Sequence, residues 1–137
     1  MVTSLYAGIL SLMFIALSVN VVNARRQFRV AMGDAQNIDV MRKIRAQGNF
    51  AEYSLFFLVL LGCAELNHLP HYMLHILGLI FIIGRAMHAY SLLKDEQYAE
   101  GKITAKPIWR IYGILCSFGC IGALGLIAID QYFMSFF

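Results

Sequence analysis

Four long apolar runs separated by short polar segments set the pattern of this chain. Val2 to Asn23 carries no formal charge. Phe50 to Leu66 is apolar apart from Glu52 and Glu65. Tyr72 to Gly84 has no formally charged residue, and Arg85 and His88 follow near its end. Ile111 to Ile129 is again uncharged. A helix crosses the hydrocarbon of a bilayer with roughly 20 apolar residues. The pattern therefore predicts four spanning helices, over about residues 2–29, 38–66, 71–93 and 107–134. Residues 1–137 then form a single domain, an all-α integral membrane four-helix bundle, with no room for a separate soluble domain.

The polar segments carry the punctuation expected between helices. Met32-Gly33-Asp34-Ala35 reads as a turn, and Asn37 or Asp39 is placed to cap the second helix. At 1.5 Å per residue that helix is ~43 Å long. This exceeds the ~30 Å hydrocarbon thickness, so its first turns project into the cytoplasm. Pro70 ends the turn before the third helix. Lys94 to Lys106 is the most polar stretch and reads as a cytoplasmic loop. Pro107 suits the first turn of the fourth helix. Gly119, Gly122 and Gly125 recur every three residues there, and such small residues let helices approach closely in a bilayer. Tyr6, Tyr72 and Trp109 fall near the expected interfaces, where aromatic belts form.

Charge adds orientation to this picture. Only 14% of the 137 residues are charged and 60% are hydrophobic, against about 25% charged in an ordinary soluble domain. All eleven Lys and Arg lie between Arg25 and Arg110. They sit in or beside the connections between helices 1 and 2 and between helices 3 and 4. The helix 2–3 turn has none. The positive-inside rule places the basic connections in the cytoplasm and both termini outside it. The first helix is read as retained rather than as a signal peptide, because its basic cluster follows the apolar run. The net charge of +3 reflects topology, with membrane lipid headgroups or small anions as partners. No basic face stands clear of the membrane to take nucleic acid. Cys63, Cys116 and Cys120 fall within spans as small packing residues, and no zinc spacing is present.

One constellation carries chemistry. Arg45, Asn49 and Glu52 sit at i, i+4 and i+7 on helix 2 and share one face. Arg42 adjoins that stripe, Tyr53 flanks it, and Gln47 projects from nearly the opposite side. Ionisable residues inside a span are expensive and usually face the bundle interior or a cavity. Arg45, on the same face, is a partner for Glu52 within the helix. Two readings follow. The first is an internal network that only holds the helices in register. The second is a polar pocket whose arginines take carboxylates by bidentate hydrogen bonds. In that pocket Glu52 takes an ammonium group, and Asn49 offers both a donor and an acceptor. The implied ligand is a small zwitterion with more than one carboxylate. Arg25, Arg26 and Arg29 finish helix 1, and Arg85 and His88 finish helix 3, at the same bilayer depth. Singly these suit headgroup anchoring or snorkelling; together they argue for a site.

Ala24-Arg25-Arg26-Gln27-Phe28-Arg29-Val30, followed by Arg45-Ala46-Gln47-Gly48-Asn49-Phe50-Ala51-Glu52-Tyr53, resembles the MAPEG family, the membrane-associated proteins in eicosanoid and glutathione metabolism. The resemblance spans nearly the whole chain and is nearest to uncharacterised bacterial members. It implies a homotrimer in a bacterial inner membrane, with periplasmic termini, that binds glutathione as co-substrate between neighbouring subunits. By that resemblance the glutathione-binding residues are Arg25, Arg29, Arg45, Gln47, Asn49, Glu52 and Tyr53, with Arg85 and His88 joining them by depth. The resemblance gives Arg26 the catalytic role of stabilising the glutathione thiolate. A free thiol has a pKa of ~8.5, and a nearby guanidinium lowers it. The implied activity is transferase or peroxidase chemistry on lipophilic small molecules.

Two departures stand beside this. The leukotriene synthase branch has tyrosines where this chain has His88 and Leu92. The arginine expected shortly before Pro107 is also absent, and Lys102 or Lys106 replaces it only as a point charge. They leave an alternative, a non-catalytic membrane protein of the same fold that binds another acidic metabolite or a lipid. A third reading, a small transporter or proton-coupled channel, finds little support, since no chain of ionisable groups crosses the bilayer. His68, His71 and His75 cluster at the opposite end; His71 and His75 share a face that could bind a metal, but no carboxylate pattern supports one and none is expected. Glu65 there is either interfacial or a partner of one of them.

Overall fold

A computed structural model describes residues 1–96, 98–99, 102–103 and 107–134. Four helices dominate it: α1 (Val2–Phe28), α2 (Ile38–Leu66), α3 (His71–Tyr90) and α4 (Ile108–Met134). Each is long and apolar enough to cross a membrane. In chain order α1 packs chiefly on α2, and α3 on α4.

The local chemistry explains the ends. Asn37 caps α2, its side chain accepting from the Val40 N–H at 3.1 Å; of the two capping candidates it is Asn37 rather than Asp39. Arg29 turns α1 off in a left-handed conformation, φ 55°. Gly33, Ala35 and Gln36 also have positive φ, which lets the nine residues from Arg29 to Asn37 reverse the chain. The start of α1 is held by Glu65, whose carboxylate accepts from the Val2 and Thr3 N–H groups. Glu65 therefore serves the open amides of a helix start; of its two expected roles, the pairing with a histidine gives way to these amides. His75 instead meets the Tyr6 hydroxyl, at 3.1 Å from Nδ1 and 2.9 Å from its carbonyl oxygen.

The stretch read as a plain loop after α3 is more ordered than expected. Ser91–Asp95 continues α3 as a π-helical turn. Tyr98–Ala99 (β1) and Lys102–Ile103 (β2) then pair antiparallel, a small addition to an otherwise helical chain. The turn is tied down at buried Glu96, which accepts from Ser91 Oγ at 3.1 Å and pairs with Arg110 at 3.2 Å. Arg42 Nε reaches across from α2 to the Leu92 carbonyl at 2.7 Å.

The core runs along the bundle axis through Leu10, Phe50, Phe57, Leu61, Leu74, Phe81 and Leu124. Phe57 and Phe81 stack with centroids 3.9 Å apart, joining α2 to α3. Close helix approach comes from glycines other than those expected. A Cβ on Gly113 would lie 2.6 Å from the Gly84 carbonyl oxygen and 2.8 Å from His88 N. Among the described residues, nothing lies within 4 Å of a Cβ on Gly119, Gly122 or Gly125. The α4 glycine stripe thus makes no close approach to the described residues of the chain.

Candidate functional site

The helix 2 stripe divides by depth. Arg45 and Glu52 are exposed, while Asn49 and Tyr53 are half-buried. No ion pair joins Arg45 to Glu52 among the described residues. Seven residues of rise, ~10.5 Å, hold them apart, so the expected partnership within the helix is corrected. Glu52 instead lines an apolar groove between α2 and α4 with Tyr53, Phe56, Phe118, Ile121 and Gly122.

Behind the stripe stands Arg85, only 1% exposed. Its Nη1 donates to Asn49 Oδ1 at 3.1 Å and to the Asn49 carbonyl at 3.4 Å. Its guanidinium carbon lies 5.1 Å from the centre of the Tyr53 ring, a cation–π arrangement. Among the described residues, Nε and Nη2 are buried without a hydrogen-bond partner. Arg85 therefore does not snorkel to the interface; it points into the bundle.

Arg25 and Arg45 come together at the end of α1. They line one pocket with Gly33, Asp34, Met41 and Ile44, and Arg25 Nε is buried without a hydrogen-bond partner among the described residues. Two guanidinium groups in one concavity suit an anion. The remaining sequence candidates lie apart from it. Arg26 and Arg29 are exposed and line neither the pocket nor the groove. Gln47 faces α1, its Nε2 3.5 Å from Ser18 Oγ, so one chain does not bring it to the stripe. His88, 3% exposed, is packed against α4 at Gly113. The side chain of Lys102 and the whole of Lys106 lie outside the described residues. No group of three or more His, Cys, Asp or Glu among the described residues is arranged to hold a metal ion.

The MAPEG family profile matches residues 3–129. The chain belongs to the MAPEG family. It is also similar to the inner membrane protein YecN of Escherichia coli strain K12, 39% identical over 91 residues, which are 66% of this chain and 70% of that protein. YecN of E. coli O6:H1 matches with the same identity and coverage. Membership fixes the four-helix membrane fold and accounts for the basic segment at the end of α1 and the motif on α2. Within this MAPEG chain, sequence reasoning missed the pairing of Arg85 with Asn49 and the seat of Arg110 on Glu96. The signal for the first was present: a lone arginine directly after a thirteen-residue stretch without formal charge, Tyr72 to Gly84. Burying it demands a partner.

Proposed function

We propose that this protein binds glutathione through the α2 stripe and transfers it to lipophilic electrophiles, in a homotrimer of the inner membrane. The observation that carries the reading is the exposure of Arg45 and Glu52 on a membrane helix beside Asn49. Charges on a span are costly unless something polar covers them. Glutathione has two carboxylates, an ammonium and a thiol. The arginines take the carboxylates and Glu52 takes the ammonium. Gln47 and Arg26, away from the stripe on their own chain, serve the site of a neighbouring copy. YecN's location and the basic connections support an inner membrane placement with both termini in the periplasm.

The chemistry assigned to Arg26 is local. Its guanidinium stabilises the thiolate once the thiol has lost its proton to solvent. The sulfur lone pair then forms the C–S bond while the leaving group departs with its electron pair. With a hydroperoxide, sulfur attacks oxygen, the O–O bond breaks and an alcohol leaves. A second glutathione then converts the sulfenic acid to the disulfide. The apolar groove beside Glu52 gives the electrophile's apolar body a place within the bilayer.

One observation favours a second reading, a MAPEG protein that binds an acidic metabolite or lipid without catalysis. His88 and Leu92 carry no hydroxyl and both are buried, so the end of α3 and the turn after it offer the ligand none at those positions. Arg26→Ala separates the two readings. The transferase loses conjugation while keeping glutathione affinity; a binding protein shows no turnover in either form.

A further inference from the structure

Asn49 lies between Arg45 and Glu52 on the stripe, and its amide has two ends of opposite character. In isolation it serves a ligand as donor or acceptor equally well. Here one end is already committed. Arg85 carries only donors, and Nη1 stands 3.1 Å from Oδ1. The amide oxygen must face the guanidinium, because the reversed amide would set NH₂ against a cation. Among the described residues, the hydrogen bonds of Arg85 go to Asn49 alone, and its Nε and Nη2 already lack partners. Turning the amide around would leave Nη1 only its longer bond to the Asn49 carbonyl, at 3.4 Å, with an NH₂ facing the guanidinium, a penalty in a buried setting. Asn49 Nδ2, by contrast, makes no hydrogen bond among the described residues, and it is not sealed inside the bundle.

We propose that Arg85 is a positioning residue, holding Asn49 so that its NH₂ alone meets the ligand. The stripe then reads donor at Arg45, donor at Asn49 and acceptor at Glu52. It selects a ligand with carboxylate or carbonyl oxygens at the first two positions and an ammonium at the third. This deepens the glutathione reading and rests on it for the identity of the ligand. Arg85 itself, buried behind Asn49, acts through that residue.

Asn49→Asp tests this in the full-length protein in detergent. The substitution keeps the shape, and its inner oxygen still accepts from Arg85, but the outward donor becomes an acceptor. Calorimetric titration should show glutathione affinity reduced at least tenfold. The Tm should rise, because a carboxylate now compensates a buried guanidinium. Affinity retained to within tenfold would overturn the donor role, and an unchanged or lower Tm would overturn the facing of Oδ1 toward Arg85. If the unaltered protein binds no glutathione, the functional reading fails separately, and the Tm comparison still decides the orientation. Arg85→Lys keeps a charge but loses the planar fork. It should weaken glutathione binding several-fold in a folded protein; unchanged affinity would show that Asn49 needs no such support.

Discussion

On the proposed reading, recognition of glutathione turns on Glu52 and Arg45, each a full charge exposed on a membrane helix. A hydrogen bond to a charged group contributes about 1.5–3 kcal/mol, roughly ten- to a hundredfold in Kd. Glu52→Gln is therefore expected to weaken glutathione binding by about that factor in titration while the protein stays folded. Arg26 is expected to behave differently, since its role begins after binding: Arg26→Ala should lose thiolate formation, read as ultraviolet absorbance of bound glutathione, with Kd little changed. Much of this was legible in the sequence. The 3.6-residue period alone places Arg45, Asn49 and Glu52 on one face. The partner of Asn49 was not legible, because Arg85 lies 36 residues away and reaches it only through the rotation of α3 about its own axis. Glu96 was hidden similarly: in sequence it is one acid in a polar stretch, and its burial depends on Arg110 of α4 arriving beside it.

At the scale of elements, the four spans follow from hydropathy alone, whereas the way they touch does not. Gly119, Gly122 and Gly125 looked like the close-packing stripe of α4, yet the tight crossing is made by Gly84 against Gly113. Spacing gives a face; it does not say whether that face meets a helix of the same chain. The difference can be measured. Gly113→Ala places a methyl against the Gly84 carbonyl and His88, and overpacking of this kind costs about 1–3 kcal/mol. Thermal unfolding in detergent should show a clear drop in Tm for Gly113→Ala and almost none from packing within the chain for Gly119→Ala. The amide-capping role of Glu65 belongs to the same scale. Glu65→Ala should loosen the first turn of α1, seen as faster hydrogen exchange at Val2 and Thr3, without touching glutathione affinity.

The whole molecule poses the question of what covers the exposed charges. A single MAPEG chain leaves Arg45 and Glu52 open, the latter beside Phe56 and Phe118, and turns Gln47 the other way. The proposed assembly, further copies of the chain with a polar ligand between them, would account for both facts. Mass measurement in detergent is expected to find three copies, and a stable monomer would remove the basis for a shared site. The most direct test of the central claim is calorimetric titration of glutathione into the purified protein, with Arg45→Ala as control. Saturable binding that disappears in the variant is the predicted result. A folded protein that takes up no glutathione, or binds it equally well without Arg45, would contradict the account.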